Sequence, residues 1–415
     1  MQNKTAEINT LSYEEIQRLM VVKQLELNTL LEITQAINNN LSATSIVKMY
    51  EFILRFHLHI GKLVLYFNEG EKWTCKSFYG VNQTVKLVHP EEEFENYSEV
   101  SKLDPGSNDL LKGLETIIPV YHKNKPLAFV LIGGTEKLAD TYNDIVNFVR
   151  TITNIIVVAL ENKRMFNDRI DQEKLGKELE IAGKVQSMLI PSELPKNDRF
   201  EISATYLPHQ TVGGDYYDFI KINEDEFIFC IADVSGKGMS AALLMSNFQA
   251  SLRALVPQKF SLVDLVNNLN QSVLNNTKGD RFITFFIGKY NVKTRELLYV
   301  NAGHNPPFLY MKNEIHELNQ GCTILGIFEE LPSIKFGSVK IEEDGLLVAY
   351  TDGLVEIQTP TGENNFEEPE LQKFIEKNYM LPVDDFNEKL LRSIDDYRER
   401  KLLHDDLTIF CLRAF

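Results

Sequence analysis

Three apolar runs in the second half of this chain end or begin at aspartate. Phe227-Ile-Phe-Cys-Ile-Ala runs straight into Asp233, Leu346-Leu-Val-Ala-Tyr-Thr runs into Asp352, and Asp405-Asp406 immediately precede Leu407-Thr-Ile-Phe-Cys-Leu. Runs this short, apolar and rich in β-branched and aromatic side chains read as buried strands. Asp215, in Gly213-Gly-Asp-Tyr-Tyr-Asp218, adds a fourth carboxylate. A carboxylate at the end of a core strand is desolvated and strongly penalised unless positive charge sits beside it. For any one of these residues a turn or helix cap is sufficient explanation. As a set they call for a Lys or Arg partner or a divalent cation. The flanking segments carry little beyond Lys237, which lies in a glycine-rich turn, so a cation is the expectation. Oxygen-only donors favour hard ions such as Mg²⁺ or Mn²⁺, whereas zinc sites usually include His or Cys, and His304 and His404 stand apart from any such pattern.

A chain of 415 residues is too long for one core of usual size, so two domains and a connector are expected. No apolar run approaches the ~20 residues of a membrane span, Ile152–Leu160 being too short. Met1–Thr10 lacks the basic, apolar and small-residue segments of a secretory signal, so a cytoplasmic protein with no membrane partner is expected. Cys75, Cys230, Cys322 and Cys411 are too scattered for a disulfide framework. The net charge of -16 opposes a nucleic-acid backbone, which leaves a protein or small-molecule partner.

Apolar residues from Ile16 to Asn38 fall at helical spacing, and a second helix is predicted over Ser45–Phe56. Strands are predicted over Lys62–Phe67, Trp73–Phe78, Thr116–Val120 and Leu127–Ile132, giving helices beside a small antiparallel sheet. This order resembles a GAF domain over about residues 20–160. The resemblance implies a sensory or dimerisation module. The cyclic-nucleotide signature of that family is missing, and the ligand is unknown. Thr151–Leu189 contains no proline, and Leu175, Leu179, Ala182, Gln186 and Leu189 follow alternating four and three spacing. That pattern reads as a coiled-coil seam or as a helix packed on one domain. Pro191 and Pro195 then stop the helix. The expected division is 1–160, a helical linker 161–195, and a catalytic domain 196–415.

Gly213-Gly-Asp, Asp233-Val-Ser-Gly-Lys-Gly-Met-Ser-Ala-Ala, Ala302-Gly-His-Asn-Pro-Pro, Thr351-Asp-Gly-Leu-Val-Glu and Asp405-Asp-Leu-Thr follow one another in this order. As a set they resemble the PPM, or type 2C, metal-dependent serine/threonine phosphatases, in their bacterial SpoIIE/RsbU-type branch, over about Glu178–Phe415. Ala182–Pro195, with Gln186, Met188, Leu189 and Pro191, is similar to the helix that leads into this domain. The resemblance implies an α+β chain whose C-terminal part is an α-β-β-α sandwich of two antiparallel sheets, holding two or more Mn²⁺ or Mg²⁺ ions at one end. By that likeness Asp233 bridges both ions and the Val234 carbonyl stands where a glycine carbonyl usually does. Asp352 and Asp405, or Asp406 in its place, complete the first ion, and Asp215 lies near the second. Gly214, Gly236, Gly238 and Gly353 are expected to support tight turns, and His304 to pack rather than act as an acid.

The branch implies a phosphoserine or phosphothreonine substrate on an anti-sigma factor antagonist, with control by the first domain and a homodimer. Cysteine-based phosphatase chemistry is unsupported, since no cysteine is followed after a short loop by arginine. Tyr216-Tyr217 argues against a diguanylate cyclase, and the Ser235-Gly-Lys-Gly-Met-Ser spacing is not a P-loop. The rival of another class is a catalytically silent phosphoprotein-binding regulator of the same fold, against which the intact Asp215, Asp233, Asp352 and Asp405 argue.

Overall fold

The computed structural model describes residues 13–70, 72–103, 108–122, 125–135, 142–357, 366–398 and 403–415; Met1–Thr10, read above for a leader, lies outside them. The chain divides into two compact units, Met1–Gln172 and Glu173–Phe415.

In the first unit, α1 (Tyr13–Asn38) and α2 (Ala43–Phe52) precede β1 (Lys62–Asn68) and β2 (Trp73–Tyr79). Next come β3 (Ser101–Lys102), β4 (Thr116–His122), β5 (Lys125–Gly133) and α3 (Tyr142–Ser187), whose residues from Glu173 on belong to the second unit. The predicted elements all form, with ends moved by a few residues. Ser42 caps α2, its hydroxyl accepting the Ser45 amide at 3.1 Å. The sheet is antiparallel in the order β2-β1-β5-β4-β3. Alternation along β1 sends Leu63, Leu65 and Phe67 to the helical side and Val64 and Tyr66 to a second apolar cluster on the other face. The most apolar window of α3 has the length and composition of a membrane span, with mean hydropathy 1.3, but half of it is buried. Val149, Ile152, Ile156 and Val157 within it pack against this sheet, which accounts for its apolarity.

The second unit is a sandwich. One sheet runs β13-β10-β9-β8-β7, with β14 also on β10: β7 (Tyr216–Lys221), β8 (Glu226–Val234), β9 (Ile283–Asn291), β10 (Glu296–Ala302), β13 (Gly321–Cys322) and β14 (Gly337–Lys340). The other runs β12-β11-β15-β16-β6: β6 (Phe200–Leu207), β11 (Phe308–Met311), β12 (Glu314–Glu317), β15 (Leu346–Tyr350) and β16 (Leu407–Ala414). Pairing is antiparallel as expected, except that Asn301 and Ala302 pair in parallel with Gly321 and Cys322. Phe229 of β8 stacks on Phe410 of β16 across the interior, ring centroids 5.2 Å apart, so the apolar runs face each other between the sheets. Helices α4 (Met239–Leu255) and α5 (Leu262–Thr277) cover the first sheet, and α6 (Glu368–Asn378) and α7 (Val383–Arg398) cover the second. With sheets and helices on both sides, β16 is buried at every residue, as its unbroken apolar run requires. The four cysteines are free.

Candidate active site

Strand register brings the predicted carboxylates to one end of the sandwich. Tyr216 pairs with Ala232, so Asp215 and Asp233 occupy the next position of the β7–β8 ladder. Tyr350 pairs with Ile409, and the amide of Thr351 continues that ladder onto the Thr408 carbonyl at 3.1 Å. Asp352 therefore leaves β15 beside Asp405-Asp406, where β16 begins.

The two sheets are tied together at Asp215. Its carboxylate is buried, and one oxygen, Oδ2, accepts the hydroxyls of Thr351 at 2.7 Å and Thr408 at 2.5 Å, both from the opposite sheet. Burial, followed by repulsion from Asp233 and Asp406, holds its pKa well above the ordinary carboxylate range despite those hydroxyls. Burial and the charges of Asp352, Asp405 and Asp406 push Asp233 up to about 7. Asp352 is also raised, by burial and then by Glu356 and Asp405. These mutual shifts mark a concentration of negative charge short of compensation.

Asp405 and Asp406 have different surroundings. Asp406 is buried, and both of its oxygens are taken by backbone amides, Oδ1 by His209 at 2.8 Å and Oδ2 by Gly214 at 2.6 Å. Asp405 is partly exposed, and its Oδ2 meets Lys237 Nζ at 2.7 Å. Lys237 also donates to the His404 carbonyl at 2.7 Å, and its hydrogen bond to Asp405 raises its pKa. The glycine-rich turn thus delivers to the site the one cation that the flanking segments carry, Lys237. The pairing was hidden because Lys237 and Asp405 are far apart in sequence.

The glycines serve close approach. A Cβ on Gly214 would lie 2.9 Å from the Val234 carbonyl, and one on Gly353 would lie 2.0 Å from the Asp406 carbonyl. Gly236 and Gly238 adopt φ of 97° and 69°, which carries the chain from β8 into α4. His304 is buried, with Nδ1 2.8 Å from the Thr284 hydroxyl. Burial lowers its pKa to about 4, so it is neutral at pH 7 and serves packing.

Two features escaped sequence reasoning. Thr351 and Thr408 flank the motif aspartates, and only the cross-strand register shows that they converge on Asp215. In the sequence Gln186 reads as one position of a seam or packed helix and of the helix leading into the domain, with no partner indicated. In the fold its side chain exchanges hydrogen bonds with Gly213, Nε2 donating to the carbonyl at 2.6 Å and Oε1 accepting the amide at 3.2 Å.

The donor set of carboxylates and a backbone carbonyl suits a hard divalent cation. Among the described residues, no three His, Cys, Asp or Glu side chains converge closely enough to hold an ion as they stand. The fit is one of donor chemistry and charge.

Comparison with known proteins agrees with this geometry. The profile of the family described as Stage II sporulation protein E (SpoIIE) matches residues 223–415. The phosphoserine phosphatase RsbU of Bacillus subtilis is 32% identical over 245 residues, covering 58% of this chain and 71% of that protein. The phosphoserine phosphatase RsbP of the same organism is 28% identical, over 55% of this chain and 56% of that protein. Among solved structures, the SiaA-PP2C domain of Pseudomonas aeruginosa superposes with a TM-score of 0.53 at 17% identity, covering 59% of this chain and 99% of that one, which shows a shared fold.

Proposed function

Because the chain belongs to the SpoIIE family of PP2C-type serine/threonine phosphatases, we propose that it hydrolyses a phosphoserine or phosphothreonine on a regulatory protein, using two Mn²⁺ or Mg²⁺ ions held by Asp233, the Val234 carbonyl, Asp352 and Asp405, with Asp215 near the second ion. The observation that carries this reading is the gathering of Asp215, Asp233, Asp352 and Asp405 at one end of a sandwich whose sequence is 32% identical to RsbU.

When bound, such ions supply an acidified water and a positive field for the phosphoryl oxygens. The chain's own part is placement. Asp233, at the strand end, lies within the influence of Asp352 and Asp405 and would be the donor shared by the two ions. Thr351 and Thr408 fix Asp215 through one oxygen. Asp405 rather than Asp406 is the exchangeable donor, since Asp406 is spent on the amides that shape the Gly213–Asp215 loop.

The proposed partner is a phosphorylated anti-sigma factor antagonist, the N-terminal unit is a GAF-like regulatory module, and the working form is a cytoplasmic homodimer. RsbU and RsbP, both phosphoserine phosphatases, support the substrate class. Leu19, Met20, Val22 and Leu27, exposed on α1, support self-association. The test is phosphate release from a phosphorylated antagonist protein against an unrelated phosphoprotein. Preference for the antagonist supports the proposal, and turnover of the unrelated protein alone rejects it.

A further inference from the structure

The N-terminal unit contains a cavity of about 590 Å³, within the size range of small-molecule sites. It lies on the helical side of the sheet, between the first turn of α2, the β1–β2 hairpin and the Leu160–Asn167 stretch of α3. The opposite face of the same sheet is packed with aromatic rings at its centre. There Tyr66, Phe94 and Phe129 pack with ring centroids 5.3 to 5.9 Å apart, and the Tyr66 hydroxyl donates to the Val85 carbonyl at 2.6 Å.

The wall of the cavity is divided chemically. Val47, Phe67 and Leu160 supply a buried apolar surface, while Lys48, Lys76, Lys163 and Arg164 supply cations. Two of those cations are already neutralised: Lys76 pairs with Glu69 at 2.6 Å, and Arg164 pairs with Glu161 at 2.7 Å and Asp168 at 3.2 Å. The other two are not. Lys163 donates to the side-chain oxygen of Asn40 at 2.6 Å, an uncharged partner, and Lys48 has no hydrogen-bond or ion-pair partner among the described residues. Glu51, the remaining acid of the wall, has only the uncharged Ser77 hydroxyl as partner among the described residues and offsets one of them. Two lysines without an ion-pair partner among the described residues, set against one such carboxylate, therefore border an apolar recess in a chain whose net charge is -16. The amides of Ala43 and Thr44, in the first turn of α2, add donors that the helix itself does not use.

We infer that this cavity is a binding site for a small organic anion, a molecule with a carboxylate or phosphate-like head at Lys48 and Lys163 and an apolar body on Val47, Phe67 and Leu160. The excess of lysine over carboxylate disfavours a bare cation, and a wholly apolar ligand would leave the lysines unmatched.

The test is titration calorimetry of the full chain with phenylphosphonate, which the phosphatase centre does not hydrolyse, in excess chelator so that no metal at that centre holds the probe. Benzyl alcohol serves as the neutral comparison, and Lys48→Glu as the variant. Lys48 is exposed and has no partner among the described residues, so thermal unfolding of the variant is expected to match the parent. The inference requires saturable binding of phenylphosphonate that is weakened about tenfold or more by Lys48→Glu, with benzyl alcohol at least about tenfold weaker. No saturable binding, equal affinity in the variant, or equal affinity for the alcohol would each overturn it. None of these results bears on the phosphatase reading, whose residues lie in the other unit.

Discussion

Gln186, in the last turn of α3, and Gly213, two residues before Asp215, exchange a pair of hydrogen bonds through the glutamine side chain. Helix and loop are also in backbone contact nearby, where a Cβ on Gly183 would lie 2.3 Å from the Thr211 carbonyl. The end of this helix therefore fixes the loop that presents Asp215. Gln186→Ala leaves two buried backbone groups of Gly213 unmatched, at a cost of about 1 to 3 kcal/mol. The expected result is a raised Mn²⁺ requirement for phosphate release, read from its metal-concentration dependence, beyond what the loss of stability explains. An unchanged requirement would reduce Gln186 to a structural role.

Gly353 turns Asp352 away from β15 against the backbone of Asp405-Asp406. The Cβ of Gly353→Ala would need to displace the Asp406 carbonyl, which lies 2.0 Å away. Destabilisation of about 1 to 3 kcal/mol in urea unfolding is expected, with loss of most activity because Asp352 and Asp405 separate. Gly176→Ala is the contrast. Nothing lies within 4 Å of its added Cβ in a helix interior, so activity should persist with stability unchanged or slightly raised.

Asp233 gives a pH dependence of defined sign. Its pKa is about 7 in the folded chain against an ordinary value of 3.8. Between those limits the folded state retains a proton that the unfolded state has released. This group's contribution to stability therefore falls as pH rises from about 4 to about 7 and stays low above. In chelator, Asp233→Asn should be more stable than the parent at pH 8, on the order of 2 to 4 kcal/mol, and the difference should shrink toward pH 5. Urea unfolding at the two pH values measures it, with His304 common to both proteins and cancelling.

Lys237 competes with a cation for Asp405. Lys237→Met removes a positive charge from the site and frees that carboxylate, so Mn²⁺ affinity by calorimetry should rise severalfold. A weakened affinity would mean that the lysine orders Asp405 for the metal rather than blocking it.

Much of this was legible because strand boundaries are local. The runs that end at Asp233 and Asp352 and the run that begins after Asp406 are strands in the fold, and their unbroken apolarity matches burial along nearly their whole length. Pairing across strands was not legible. Thr351 and Thr408 meet at Asp215 only through the register of β15 and β16 and the closure of one sheet on the other. The same holds for Lys237 with Asp405 and Gln186 with Gly213, each joining segments whose separation in sequence carries no signal. The choice between Asp405 and Asp406 stayed open in sequence because the two are adjacent; in the fold their surroundings differ, with the backbone amides of His209 and Gly214 engaging Asp406.

The central claim is that Asp233 organises a metal-dependent phosphatase centre. Its most direct test is phosphate release from a phosphoserine peptide with Mn²⁺, comparing the intact chain, Asp233→Asn, and the intact chain in chelator. The account predicts release by the intact chain and its loss in both controls, with Asp233→Asn still folded. Undiminished release by Asp233→Asn, or by the chelated protein, would contradict it.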